Sequence, residues 1–147
     1  MSGGWLLGHA ERYETAADAH AVGRLRRQAV KTLADWGVTE RAELVALIVS
    51  ELLTNALLHG RTPILSVELA IADGWLRIAV DDLNPDPPHP VPADTSGEGG
   101  RGMVLVAALA DAWGFRAHAG GKTVSAELDL CTSPDRPLLP TREGSWK

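Results

Sequence analysis

Two alternating segments joined by a tight-turn signal constrain the fold of this chain most. Residues 64–71 (ILSVELAI) place Leu, Val, Leu and Ile at every second position, and residues 75–82 (WLRIAVDD) alternate in the same way. The Asp73-Gly74 pair between them favours a two-residue turn whose backbone matches the twist of paired strands. The sequence therefore predicts an antiparallel hairpin that buries one face.

Helical segments precede this hairpin. Asp18 is the predicted N-cap of a first helix that runs to about Trp36, with apolar residues at helical spacing. Thr39 is the predicted N-cap of a second helix, which continues to about His59 and ends at Gly60. Both helices are long enough to cover one face of a small sheet.

A third helix and a second hairpin follow. The third helix is predicted over residues 102–112, and the last hairpin consists of 113–119 and 122–130 around Gly120-Gly121. The order is helix, helix, hairpin, long loop, helix, hairpin. It predicts an α+β fold, a two-layer sandwich in which about three helices cover one face of a mainly antiparallel sheet.

Composition excludes several classes of protein. The chain has 147 residues, 45% of them hydrophobic, which suits one globular domain. Its formal charge of −5 argues against a direct grip on nucleic acid. Its single cysteine cannot form an internal disulfide. Because we find no secretory signal pattern and no apolar run near ~18–20 residues, we expect a cytoplasmic protein without a membrane span.

Proline and glycine are unevenly distributed. Of the 9 prolines, eight lie between Pro85 and Pro92 or between Pro134 and Pro140. The first group falls in the irregular stretch 83–99, which exceeds the ~12–15 residues beyond which a loop is usually functional or disordered. The second falls in 131–147, a predicted disordered tail. Together with a flexible N-terminus over 1–8, this leaves a domain over 9–130.

Two polar residues break the apolar pattern of the second helix. At ~100° per residue, Glu51 and Asn55 lie on the same stripe as Leu44 and Ile48. They can be the solvated margin of the helix, or they can line a pocket in which a carboxylate and an amide face a hard cation or a reacting hydroxyl. The pattern alone leaves both interpretations open.

Two further features lie near chain turns. Strand parity puts Asp82 on the same face as Leu76, Ile78 and Val80, either as a cap of the following loop or as a buried carboxylate that recognises an amine. The glycine cluster 97–102 precedes a helix, where it can be a hinge or can let backbone N–H groups approach an anion. Together with the second helix, these features describe a nucleotide site with the loop 83–99 as its lid.

Four segments resemble one known family. SELLTNALLHG (50–60) resembles the N-box of the GHKL (Bergerat-fold) ATPases, and within them the bacterial anti-sigma-factor serine/threonine kinases. VDDLNP (80–85) resembles their adenine box, and GEGGRGMVLVAALADAWG (97–114) their glycine box with its helix. GGKTVSAELDL (120–130) resembles their closing strand. The likeness spans about residues 11–130.

The resemblance implies roles for matching residues. Glu51 would be the general base toward a Ser or Thr hydroxyl of a partner, Asn55 would ligate Mg²⁺, and Asp82 would bind the adenine amine of ATP. The glycine box would hold the phosphates beside a helix that starts at Met103, and the residues implied for ATP there are Gly100, Arg101, Gly102 and Met103. Arg101 can instead be an outward-facing rim residue, and His59 would pack behind the site.

The sequence departs from the family pattern at the adenine box. Many relatives have Asp-x-Gly where this chain has Asp82-Leu83-Asn84, and Asn tolerates the left-handed backbone that Gly would supply. The loop 83–99 is also richer in proline than in better-known kinases. Strand parity directs Thr123 away from the core, and we assign no role to Lys122 or Thr123.

The family likeness also implies partners. These would be a STAS-type anti-sigma factor antagonist, a sigma factor, or both. Phosphorylation of the antagonist would drive partner switching. The likeness also implies that the chain can form homodimers. The alternative is a non-catalytic ATP-binding regulator whose partner surface is ordered by nucleotide. Because no histidine-bearing helix pair precedes the domain and no transducer domain follows it, we expect neither a complete histidine kinase nor a gyrase-like ATPase.

Overall fold

The computed structural model describes residues 8–88 and 98–130, with only the backbone described for 98–102. The described elements, in chain order, are β1 (His9–Ala16), α1 (Ala21–Asp35), α2 (Ala42–His59), β2 (Ile64–Ala72), β3 (Trp75–Asp82), α3 (Glu98–Leu109), β4 (Ala112–His118) and β5 (Gly121–Asp129). The strands form one five-stranded antiparallel sheet in the order β1-β2-β3-β5-β4. The three helices cover one face of this sheet, which confirms the predicted α+β sandwich.

The hairpin of β2 and β3 is formed as predicted. Asp73 and Gly74 both have positive φ, 54° and 82°, as the two central residues of a type I′ turn require. The apolar rows of both strands are buried toward the helices, and their members are Leu65, Val67, Leu69, Ile71, Leu76, Ile78 and Val80. These residues form the sheet side of the hydrophobic core, and the buried row of β3 ends at Asp82.

The sequence pattern did not predict strand β1. This strand pairs with β2 from His9↔Ile71 to Ala16↔Ile64 and forms one edge of the sheet. Its residues are mostly polar and solvent-exposed, so it has no apolar alternation to reveal it. Side chains on its helix-facing side hold it instead, because the His9 ring stacks on Trp36 at 5.0 Å between centroids and Tyr13 Oη lies 2.5 Å from Thr32 Oγ1.

The first two helices begin later than predicted. The N-cap of α1 is His20, and Asp18 lies two residues before it, where its carboxylate accepts the His20 N–H at 2.9 Å. The N-cap of α2 is Arg41 rather than Thr39, whose carbonyl accepts the Ala42 N–H in a preceding turn. Neither N-cap side chain makes a capping hydrogen bond. Both predicted caps therefore belong to the turns that lead into the helices.

Helix α2 is the central helix of the core. It packs against α1, α3 and the strands β2, β3 and β5, and its most buried side chains include Ile48, Val49 and Leu53. With 18 residues and a mean hydropathy of 1.4, it is long and apolar enough to cross a membrane by those two criteria. The expectation that no apolar run approaches that length was therefore wrong. In this fold the apolar residues of α2 pack against α1, α3 and the sheet.

Candidate functional site

The polar stripe of α2 lies at the edge of the core. Asn55 is 8% exposed, Glu51 one turn earlier is half-buried, and neither has a hydrogen-bond partner among the described residues. An amide oxygen beside a carboxylate is a suitable donor for Mg²⁺, so the residues present fit such a cation and Asn55 is the group that would hold it.

Asp82 occupies the end of the apolar row of β3. Its side chain is 1% exposed, as strand parity predicted. Its Oδ1 accepts the backbone N–H of Asn84 at 2.8 Å, which is the loop-capping bond of the simpler interpretation. The Asp82 carboxylate is therefore both buried and engaged in capping the loop that follows β3. These contacts hold a negatively charged group in place at the edge of the core.

Two glycines allow the end of α2 and the start of β5 to approach Asp82. A Cβ on Gly60 would lie 2.5 Å from the Ala56 carbonyl oxygen and 2.6 Å from Asp82 Cβ. A Cβ on Gly121 would lie 2.1 Å from the Asp82 carbonyl oxygen. The Leu83 N–H also donates to the Gly60 carbonyl at 2.9 Å. Only glycine fits at both positions, and the glycines bring α2, β3 and β5 together around one carboxylate.

Lys122 is the site residue to which sequence reasoning assigned no role. It lies opposite Asp82 in the β3–β5 register, and its side chain is 3% exposed. Its Nζ lies 3.0 Å from Asp82 Oδ2, donates to Asp82 Oδ1 at 3.2 Å and donates to the Asn84 carbonyl at 2.8 Å. A signal was present, because Lys122 shares strand parity with Val124, whose apolar side chain faces the core. The lysine and the carboxylate form a buried ion pair.

Asn84 stabilises the turn after β3 through its side chain. Its Nδ2 donates to the His59 carbonyl at 2.7 Å, and its Oδ1 accepts the Asp86 N–H at 3.0 Å. Among described non-glycine residues only Arg61 and Asp73 have positive φ, so Asn84 is not left-handed. The expectation that Asn84 replaces glycine by a left-handed backbone was wrong. Its amide instead joins the loop to the end of α2, where the His59 ring is exposed rather than packed.

Helix α3 begins earlier than predicted. It starts at Glu98, about one turn before Met103, whose side chain is fully buried in the core. The first backbone N–H groups of a helix lack partners within it, and here they belong to residues 98–100. The predicted helix start at Met103 is therefore corrected. Of the glycine-box residues implied for phosphate binding, Gly100 lies among these N–H groups, and Gly102 follows within the helix.

Several predicted features lie outside the described residues. These are residues 89–97 of the predicted lid, the side chain of Arg101, residues 1–7 and the tail 131–147. The lid and the two flexible ends stay predictions.

The residues next to Asp82 and Lys122 face away from the helices. Asp81 and Thr123 lie opposite each other in the register, and Thr123 Oγ1 donates to Asp81 Oδ1 at 2.6 Å. Arg12 Nη1 donates to Asp81 Oδ2 at 3.3 Å, and His118 Nε2 lies 3.2 Å from Thr123 Oγ1. The parity of β5 therefore places Thr123 on the open face, as the sequence predicted.

The fold and the site define a class of protein: an α+β domain with a polar stripe on its central helix and a buried carboxylate beside it. The model of the histidine kinase-like ATPase domain family matches residues 15–128, and the chain belongs to that family. The family implies that the domain binds ATP. No curated protein matches the chain.

Two solved structures are similar to this chain. The crystal structure of the RsbU and RsbW domains of Rv1364c from Mycobacterium tuberculosis matches with a TM-score of 0.65 and 23% identity, over 89% of this chain and 35% of that one. The histidine kinase domain of the blue-light activated histidine kinase from Erythrobacter litoralis EL346 matches with a TM-score of 0.45 and 20% identity, over 74% and 65%. The chain thus spans about a third of the M. tuberculosis chain, and that likeness shows the fold.

Proposed function

We propose that this domain is a cytoplasmic serine/threonine protein kinase of the anti-sigma-factor type. It would transfer the γ-phosphoryl group of Mg-ATP to a Ser or Thr of a STAS-type antagonist protein, and it would regulate a sigma factor by partner switching. The observation that carries this proposal is the pair Glu51 and Asn55, one turn apart on α2 and without partners among the described residues, in a chain of this ATPase family.

Each group in the site has a defined task in this proposal. The Asp82 carboxylate accepts a hydrogen bond from the amine of adenine, and the backbone N–H groups at the start of α3 donate hydrogen bonds to the phosphates. Asn55 would supply an oxygen ligand to Mg²⁺, which would neutralise charge on the phosphates when bound. The lid was predicted over residues 83–99 and is shortened to 83–97 because α3 begins at Glu98; it would close over the nucleotide. These tasks are mostly positioning and charge neutralisation, which is what phosphoryl transfer requires of a protein.

Glu51 is the group proposed to move a proton. The hydroxyl oxygen of the partner forms a bond to the γ-phosphorus, the bond between that phosphorus and the β–γ bridging oxygen breaks, and ADP leaves with the electron pair. The Glu51 carboxylate accepts the hydroxyl proton during this step. Because it is half-buried at the edge of α2, it remains within reach of a partner that docks over the helix.

A labelling assay tests this assignment. We expect transfer from γ-labelled Mg-ATP to a STAS-type antagonist of the same organism to fall by about 10²-fold or more in Glu51→Gln, the usual contribution of a general base. The affinity for ATP should change little, because the substitution preserves shape. Glu43→Gln, in the first turn of the same helix, is the matched control and should label as the wild type does.

Two outcomes would contradict the proposal. Labelling that survives Glu51→Gln unchanged would remove Glu51 as the base. ATP binding without labelling of any antagonist would favour the alternative, a non-catalytic regulator in which nucleotide orders a surface that binds a partner.

A further inference from the structure

Lys122 lies where a nucleotide base would meet Asp82. The two residues face each other across β3 and β5, and Nζ lies 3.0 Å from Asp82 Oδ2. Both side chains are almost completely buried, at 3% and 1% exposure. Because the two charged groups are in contact, a ligand edge placed against the carboxylate would also lie close to the ammonium group.

The ammonium group has donor capacity beyond its described contacts. A lysine ammonium carries three N–H donors and no acceptor. Lys122 directs them at two acceptor groups among the described residues, the Asp82 carboxylate and the Asn84 carbonyl. These contacts involve three oxygens, but one N–H directed between the two carboxylate oxygens can serve both, which leaves another N–H for a ligand acceptor. The two contacts also fix the position of Nζ, so this donor needs no further ordering when a ligand arrives.

We propose that Lys122 is a base-reading residue: it donates a hydrogen bond to the ring nitrogen N1 of the adenine whose amine donates to Asp82. This inference rests on the proposed ATP site. The adenine edge presents a donor, the 6-amino group, directly beside an acceptor, N1. The Asp82–Lys122 pair presents an acceptor beside a donor, which is the complementary pattern.

The same pair disfavours 6-oxopurines. Guanine and hypoxanthine present an oxygen at position 6 and an N1–H next to it. In the adenine pose the oxygen would face the Asp82 carboxylate, and the N1–H would face the Lys122 ammonium group. Both contacts pair like with like, and a buried polar group that loses its partner is costly. Lys122 therefore sets the choice of base together with Asp82.

Comparing ATP with 1-deaza-ATP tests the proposal, because the analogue has C–H in place of N1 and keeps the amine. By calorimetry in the presence of Mg²⁺ we expect the wild type to bind ATP about tenfold more tightly than the analogue, the ratio expected for one hydrogen bond to a charged donor. In Lys122→Met the two affinities should agree within about twofold. Lys31→Met, at an exposed lysine, is the control and should keep the wild-type ratio.

A second measurement uses the unmodified chain, because Lys122→Met leaves Asp82 without its partner and can fail to fold. The lysines of the chain are Lys31, Lys122 and Lys147. Lys31 is exposed, so its ammonium protons exchange rapidly with water, whereas those of Lys122 are protected by burial. With ¹⁵N-labelled lysine, we expect ATP to shift the Lys122 Nζ resonance and 1-deaza-ATP to leave it near its position without nucleotide.

The outcomes separate this inference from the proposed function. Equal affinity of the wild type for ATP and 1-deaza-ATP, equal Nζ shifts with both, or an unchanged affinity ratio in Lys122→Met would each overturn the base-reading role while leaving ATP binding intact. No binding of either nucleotide would overturn the proposed function, and the base-reading role with it.

Discussion

Asp81 and Asp82 are neighbours in the chain and lie in two different environments. The Asp82 side chain faces the helices, is 1% exposed and pairs with Lys122. The Asp81 side chain faces the open side of the sheet, is 42% exposed and meets Arg12 and Thr123. Each carboxylate contacts the residue directly opposite it on β5: Asp82 meets the charged Lys122 on the buried face, and Asp81 meets the neutral Thr123 on the open face.

This difference shows how one step along a strand changes the chemistry of a carboxylate. The exposed pair keeps water as an alternative partner, so each of its contacts contributes little to stability. The buried pair has lost water, so each member depends on the other, and removal of one leaves an uncompensated charge. A carboxylate of the second kind is held in one orientation, which suits recognition of a ligand.

The largest expected effect comes from removing the charge of Asp82. Asp82→Asn leaves the Lys122 ammonium buried without its counter-ion, so we expect the free energy of unfolding to fall by about 3–5 kcal/mol. Asp81→Asn is the matched control and should cost less than about 1 kcal/mol. Urea denaturation of both variants checks this. Similar losses of unfolding free energy in the two variants would show that the buried Asp82–Lys122 pair stabilises the fold no more than the exposed Asp81–Arg12 pair.

An intermediate effect is expected at the glycine that lets α2 approach Asp82. In Gly60→Ala the new methyl group would meet the Ala56 carbonyl oxygen and Asp82 Cβ, so the helix end has to move, at a cost of about 1–3 kcal/mol. ATP affinity should fall as well, because Asp82 is displaced.

Gly23→Ala is the corresponding control in α1. Its methyl group would meet only the ends of the flexible Arg26 and Arg27 side chains, the nearer at 3.3 Å, and alanine favours a helix interior over glycine by about 0.5–1 kcal/mol. We expect thermal denaturation to show a small gain for Gly23→Ala and a loss for Gly60→Ala. A gain for both would mean that the packing around Asp82 is loose.

The smallest effect is expected at an exposed carboxylate, Asp18. Hydrogen bonds from the Arg24 guanidinium and the His20 N–H, with the charge of Arg24, lower the pKa of this carboxyl below its usual value of 3.8. A lowered pKa in the folded state stabilises the fold above the unfolded-state pKa, and this contribution disappears as the pH falls through the folded-state pKa. The melting temperature of Asp18→Asn should therefore be slightly below that of the wild type at pH 7. The two should converge in strong acid, and a difference that grows in acid would contradict this.

Local pattern was enough to predict much of the fold. Period-two alternation and the Asp73-Gly74 turn defined β2 and β3, and the same parity placed Asp82 inside and Thr123 outside. Each of these features depends on residues close together in the chain. The helix starts were misplaced because Asp18 and Thr39 have the side chains of N-caps but lie in the preceding turns.

Features that depend on pairing between distant segments were not predicted. β1 is a polar edge strand, and its place in the sheet comes from its register with β2 and from contacts such as His9 on Trp36. The role of Lys122 depends on the register between β3 and β5, which strand parity alone does not set. Parity indicated that Lys122 faces inward, and only the register shows that Asp82 lies opposite.

A crystal structure of the chain with Mg²⁺ and a non-hydrolysable ATP analogue is the most direct test of the proposed nucleotide site. We expect the adenine amine within hydrogen-bond distance of the Asp82 carboxylate, with N1 facing Lys122 Nζ and the metal ion at Asn55. A nucleotide bound elsewhere, with the Asp82–Lys122 pair untouched, would contradict the assignment of the site.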